Sequence, residues 1–154
     1  MTDWLTADDQ SNEALLVTDI ARILRHKFDL RAKGLGLTRA QWQVLGTLRR
    51  CPGINQARLA EKLEVRPITL TRLLDRLEKT GWVERRLDAD DRRVRRLYLT
   101  DQVASVVRRM RALGMELRQE AIGGLSHHEH ATLLDLLKRI KTNLCPQAME
   151  ETHV

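Results

Sequence analysis

The chain has 154 residues, with 27 Lys and Arg against 21 Asp and Glu, a formal net charge of +6. That length suits one folding unit, residues 1–154, with one sizeable core. No apolar run is long enough to span a bilayer, no amphipathic stretch sets aromatics against lysines, and the first residues are acidic rather than basic. A membrane protein and a secreted one are therefore excluded, and the expected compartment is the cytoplasm.

In chain order, Met1 to Gln10 is polar and unpatterned and reads as a loose end. From Ser11 to about Lys33, Leu15, Leu16, Ile20, Ile23, Leu24 and Phe28 recur at helical spacing, which predicts a long first helix ended by Gly34-Leu35-Gly36. Thr38 with Gln41 three residues on is a capping box for a second helix carrying Trp42, Val44, Leu45 and Leu48, stopped by Cys51-Pro52-Gly53. Asn55 caps a third, with Leu59, Ala60 and Leu63 apolar.

A fourth helix begins at Pro67, which suits the first turn because it needs no amide hydrogen there, and stops at Gly81. Leu70, Leu73, Leu74 and Leu77 share one face of it, leaving Ile68, Arg72, Asp75, Arg76 and Lys79 on the other. Beyond Gly81 the period falls to about two, with Val83 and Leu87 before a tip of Asp88-Ala89-Asp90-Asp91 and Val94, Leu97 and Leu99 after it. This is a two-stranded hairpin crowded with Arg85, Arg86, Arg92, Arg93, Arg95 and Arg96. Charges on an edge strand also resist aggregation, but that leaves the free polar face directly before it unexplained. A helix-turn-helix whose second helix enters the major groove, followed by a basic wing reaching phosphates or the minor groove, accounts for both.

Thr100 caps a fifth helix with Val103, Val106, Val107, Met110, Leu113, Leu117 and Ala121, broken at Gly123-Gly124. Ser126 and Glu129 form a second capping box for a sixth, whose Leu133, Leu134, Leu136, Leu137, Ile140 and Leu144 make an apolar face too wide for one neighbour. The fold class is mainly α with a small β-hairpin wing. Residues 38–99 form the winged helix-turn-helix, and dimerisation helices occupy residues 11–34 and 100–145. A two-fold homodimer suits a palindromic operator with half-sites roughly 10 bp apart.

From Leu37 to Thr100 the sequence resembles the MarR family of bacterial transcription regulators, in particular its SlyA-like branch. The pieces that carry the resemblance are LTRAQW, INQARLAEKL, TRLLDRLEKTGWVERR, and DRR followed by LYLT. It implies a ligand-responsive repressor, with the first, fifth and sixth helices building the dimer. Arg72 is then placed to meet guanine, or else is a solvated arginine near Asp75, with Arg66, Ile68, Thr69 and Arg76 beside it on the DNA side. Arg93 is the wing arginine the resemblance sends into the minor groove, with Asp91 holding it, while Arg85, Arg86, Arg92, Arg95 and Arg96 are candidates for phosphate, some of them simply solvated. The family also implies a small phenolic or aromatic carboxylate effector near Trp42, with Arg25, Arg31 and Arg72 to meet its charge. Trp42 is equally a core residue.

Enzymatic and metal chemistry find little support. No nucleophile, base and orienting group stand at a recognisable spacing, and no glycine-rich phosphate loop is present. His127, His128 and His130 crowd one helical turn but face different ways, so no metal and no cofactor are expected. Cys51 and Cys145 are too few for a disulfide framework. They motivate one alternative, a thiol-switched regulator; the other is a nucleoid-associated protein that binds DNA with little sequence preference.

Overall fold

A computed structural model describes residues 12–88, 91 and 93–145. The Met1 to Gln10 end, two residues of the hairpin tip (Ala89 and Asp90) and Arg92 lie outside the described residues. Six helices and one hairpin run in the order α1 (Glu13–Lys33), α2 (Arg39–Arg50), α3 (Gln56–Lys62), α4 (Pro67–Lys79), β1 (Val83–Leu87), β2 (Arg95–Leu99), α5 (Ala104–Ile122) and α6 (His127–Leu144). They divide into two compact units, the division falling after Leu117. None of the described helices is long and apolar enough to cross a membrane.

The expected caps form. The Asn12 side chain accepts from the Ala14 amide, and both capping boxes close, Thr38 with Gln41 and Ser126 with Glu129. Two hydrogen bonds from Ser126, through its hydroxyl and its amide, hold the Glu129 carboxyl below its ordinary pKa. Asn55 accepts from the Arg58 amide at 2.9 Å, and α3 then runs only seven residues. The turn to α4 passes through Glu64 at φ +53°, a left-handed residue that reverses the chain within a few positions.

Thr100 departs from expectation. Its hydroxyl donates to the Gly81 carbonyl instead of capping a helix, and a 3-10 turn, Asp101–Val103, precedes α5. Gly81, at φ +72°, sits so close to Gln102 that an added Cβ would lie 2.1 Å from its Oε1, so this stop tolerates only glycine without rearrangement.

The core of the first unit gathers Val44, Leu45 and Leu48 of α2, Leu59 and Ala60 of α3, Leu70, Leu74 and Leu77 of α4, Val83 and Leu97 of the hairpin, and Val103. The strands are antiparallel, Arg85 opposite Leu97 and Val83 opposite Leu99. The hairpin is anchored at its base by the α2–α3 link: the Gly53 amide donates to the Leu97 carbonyl and the Leu97 amide to the Ile54 carbonyl. The wing is thus stitched to the helix-turn-helix by backbone as well as by packing. On the long helices the apolar pattern behaves differently. Leu16 and Ile20 of α1 and Leu134 and Leu137 of α6 stay exposed, and α6 buries no residue.

Candidate nucleic-acid interface

α4 separates a core face from a free one. Leu70, Leu73, Leu74 and Leu77 are buried, each worth about 1.5–3 kcal/mol in transfer terms, which fixes the helix's rotation about its axis. That rotation leaves Ile68, Thr69, Arg72 and Arg76 exposed on the opposite side, with Arg66 exposed at the N-cap. Thr71 is committed to the fold. It accepts from Gln56 Nε2 at 2.6 Å and donates to the Pro67 carbonyl, which pins α3 to α4. Arg76 Nε donates to the Arg72 carbonyl at 3.3 Å. Asp75, a neighbour that would neutralise Arg72, is engaged elsewhere, and the Arg72 guanidinium has no ion-pair partner among the described residues.

The partner of Asp75 is Arg85. Its guanidinium donates to Asp75 Oδ1 at 2.6 Å and to Glu78 Oε2, while its amide meets Glu78 Oε1 at 3.3 Å. With only 13% of its side chain exposed, Arg85 works as a staple between β1 and the outer edge of α4. A charge-assisted fork of this kind fixes direction as well as distance. Arg86 pairs with Glu84 and lies over the Tyr98 ring, 4.5 Å from its centroid, yet remains exposed. Arg96 binds Asp88 and the Gly53 carbonyl.

Asp91 does not meet the Arg93 side chain. Its Oδ1 accepts from the Arg93 amide at 2.9 Å, and its own amide donates to Asp88 Oδ1 at 3.0 Å. The carboxylates therefore shape the hairpin tip as Asx-type turns, for which an Asp two or three residues before an amide is well suited. Arg93 stays exposed, with no ion-pair partner among the described residues. Arg92, the other tip arginine expected at phosphate, lies outside the described residues.

The residues expected around an effector stand on three helices, α1, α2 and α4. Trp42 is half-buried, its indole N–H donating to Asp29 Oδ1 at 2.8 Å and its ring 4.6 Å from Phe28. Arg39 Nε binds the other oxygen, Asp29 Oδ2, at 2.7 Å. That bond from Arg39, aided by the one from Trp42 and opposed by partial burial, holds the Asp29 carboxyl below its ordinary pKa. Arg25 is exposed and Arg31 half-buried on α1, and Arg72 is on the outer face of α4. Two surface depressions, about 350 Å³ at the α5–α6 turn and about 490 Å³ beside α3, are lined by none of these four. The histidines stand at the first of them, with His130 Nε2 3.4 Å from Arg118.

Three positions escaped sequence reasoning: Asp29, Glu78 and Gln56. Each acts on a partner 7 to 15 residues away, beyond the reach of helical or strand periodicity. Glu78 alone left a signal, an acidic residue on the outer face of a helix ahead of a basic strand.

Residues 37–94 match the MarR family profile. The apo MarR of E. coli is 32% identical, over 84% of this chain and 96% of that one, with a TM-score of 0.71. The transcriptional regulator SlyA is also 32% identical, over 86% and 94%, with a TM-score of 0.69. A putative MarR family regulator from Listeria monocytogenes, solved with a 26mer DNA, shares the fold at 23% identity, 86% and 89% coverage and a TM-score of 0.74.

Proposed function

This chain belongs to the MarR family of winged-helix DNA-binding transcription regulators, and from that premise we propose that it is a ligand-responsive repressor that grips a palindromic operator as a homodimer. The observation that carries the proposal is the pairing of a free cationic helix face with a wing held to it by Arg85. In this reading α4 enters the major groove, where Arg72 meets base edges and Arg66, Thr69 and Arg76 flank it. Arg93 reaches the minor groove, and Arg86 and Arg92 meet phosphate. Arg85 enters as the staple that sets the angle between helix and wing, because its guanidinium already has two carboxylates. The Listeria protein solved with DNA has the same fold, which makes this docking geometrically reasonable.

The dimer is proposed from α1 and α6, whose exposed leucines and isoleucines would each be covered by a second copy of the chain. Residues 1–154 then act as one regulator, with residues 38–99 reading and the end helices joining. The effector in this reading is an aromatic carboxylate at Trp42, with Arg25, Arg31 or Arg72 meeting its charge. Because Asp29 already holds the indole N–H, such a ligand would have to stack on the ring or displace that carboxylate.

The test is affinity for a sequence selected from random duplexes, compared with a scrambled duplex at one fixed salt concentration. Specific regulators favour their site by about 10³-fold or more. Equal affinity for both duplexes would instead make the protein a general DNA coater.

A further inference from the structure

The outer face of α4 is polar except at one position. Ile68, the second residue of the helix, is 60% exposed, while the four leucines of the inner face are buried. Nothing in the fold accounts for an isoleucine there. It lies outside the core cluster, and a β-branched side chain is a poorer helix former than the lysine, glutamine or glutamate an exposed site usually carries. Set alone among polar groups on the free face of α4, Ile68 is an aliphatic contact that a ligand lying along that face would cover.

Its neighbours narrow what would bury it. Thr71 is locked to Gln56 and the Pro67 carbonyl, which removes it from the reading surface. Ile68 and Arg72 are four residues apart, on one stripe of the helix, about 6 Å from each other along its axis. That spans one or two base-pair steps of duplex. In the major groove, the apolar group that a branched aliphatic side chain can cover is the C5 methyl of thymine.

We propose that Ile68 reads a thymine methyl, one or two base pairs from the base met by Arg72, and so sets one position of each half-site. This rests on the reading of α4 as the recognition helix. The guanidinium and the isoleucine then form a two-letter reader, one polar and one apolar.

The experiment uses the full-length protein and a duplex selected from random sequence. Each thymine is replaced in turn by uracil, which removes the methyl and keeps the base pair. For the unaltered protein, one thymine per half-site should lose roughly threefold to fivefold in affinity on this replacement, the value of about one buried methyl. For Ile68→Ala the same replacement should have no effect. Because Ile68 is exposed, the melting temperature of this variant should match that of the parent, and that check accompanies the titration. If every uracil replacement is neutral, or if the loss persists undiminished in Ile68→Ala, the assignment is overturned. A protein that fails to prefer the selected duplex over a scrambled one would sink the recognition-helix reading itself, which is a separate result.

Discussion

α4 and α6 carry nearly the same leucine pattern and end in opposite states. Leu70, Leu73, Leu74 and Leu77 of α4 are at most 9% exposed, whereas Leu133, Leu134, Leu136, Leu137 and Ile140 of α6 are all at least 40% exposed. The difference lies in their neighbours. α2, α3 and β1 pack on α4, and each is near in sequence, but α6 has no buried residue. Periodicity fixes which side of a helix is apolar, and assembly decides what covers it. A complete core and an incomplete one can look identical in sequence.

The sharpest way to break this comparison is to truncate both faces. Leu74→Ala should destabilise the protein by about 2–5 kcal/mol, through lost transfer energy and an unfilled cavity, at any protein concentration. If a second copy covers the exposed part of Leu134, Leu134→Ala should cost more stability at concentrations where the protein is dimeric than where it is not. Urea melts at two concentrations tenfold apart separate the cases. A concentration-independent loss for Leu134→Ala would mean that its own chain covers it.

The wing sharpens the comparison at the level of single arginines. Arg93→Ala should lower the slope of log affinity against log salt, because a cation inserted in the minor groove also displaces counterions held by the phosphates on either side of it. Arg85→Gln should weaken operator binding with the slope unchanged, because its charge is spent on Asp75 and Glu78 rather than on DNA. Glu78→Gln should reproduce that loss, and the double variant should fall short of the sum. A slope reduced by Arg85→Gln would return that residue to the phosphate contacts.

Asp29 gives the smallest effect. Its carboxyl pKa is lowered in the folded protein, chiefly by Arg39, so its charge contributes stability above its unfolded value near 3.8, and that contribution is lost as pH falls through the lowered folded value. Asp29→Asn should therefore cost about 1 kcal/mol at neutral pH, and the gap between variant and parent should begin to narrow only as pH falls below the unfolded value and close below the lowered folded one. Denaturant titrations across pH 2.5 to 7 would check it, with the pH range set around the ordinary carboxylate pKa. A gap that stays constant across that range would show that the Asp29 charge adds nothing.

The local grammar of the fold was legible because it is short-range. Asn55, Pro67, Gly81, and the pairs Thr38–Gln41 and Ser126–Glu129 each act within a few residues, and each sits where a cap or stop was expected. Thr100 misled because a threonine before an apolar run also suits a side chain that turns back to a distant carbonyl, here that of Gly81. The wing arginines were legible as a group but not as individuals. Arg85 and Arg93 look alike in sequence, and only the carboxylates that α4 brings beside β1 tell them apart. Asp91 was expected to hold the Arg93 side chain, whereas its carboxylate accepts from the Arg93 amide, because a short carboxylate two residues back meets the amide first.

The central claim is that two copies of this chain read two half-sites at once, and the mass of the protein–DNA complex tests it most directly. Sedimentation with a selected palindromic duplex should give two protomers per duplex, and a duplex carrying one half-site should bind far more weakly. Leu134→Glu with Leu137→Glu should abolish the two-protomer complex while leaving the reading unit folded. A single protomer bound as tightly to one half-site as to the full palindrome would contradict the account.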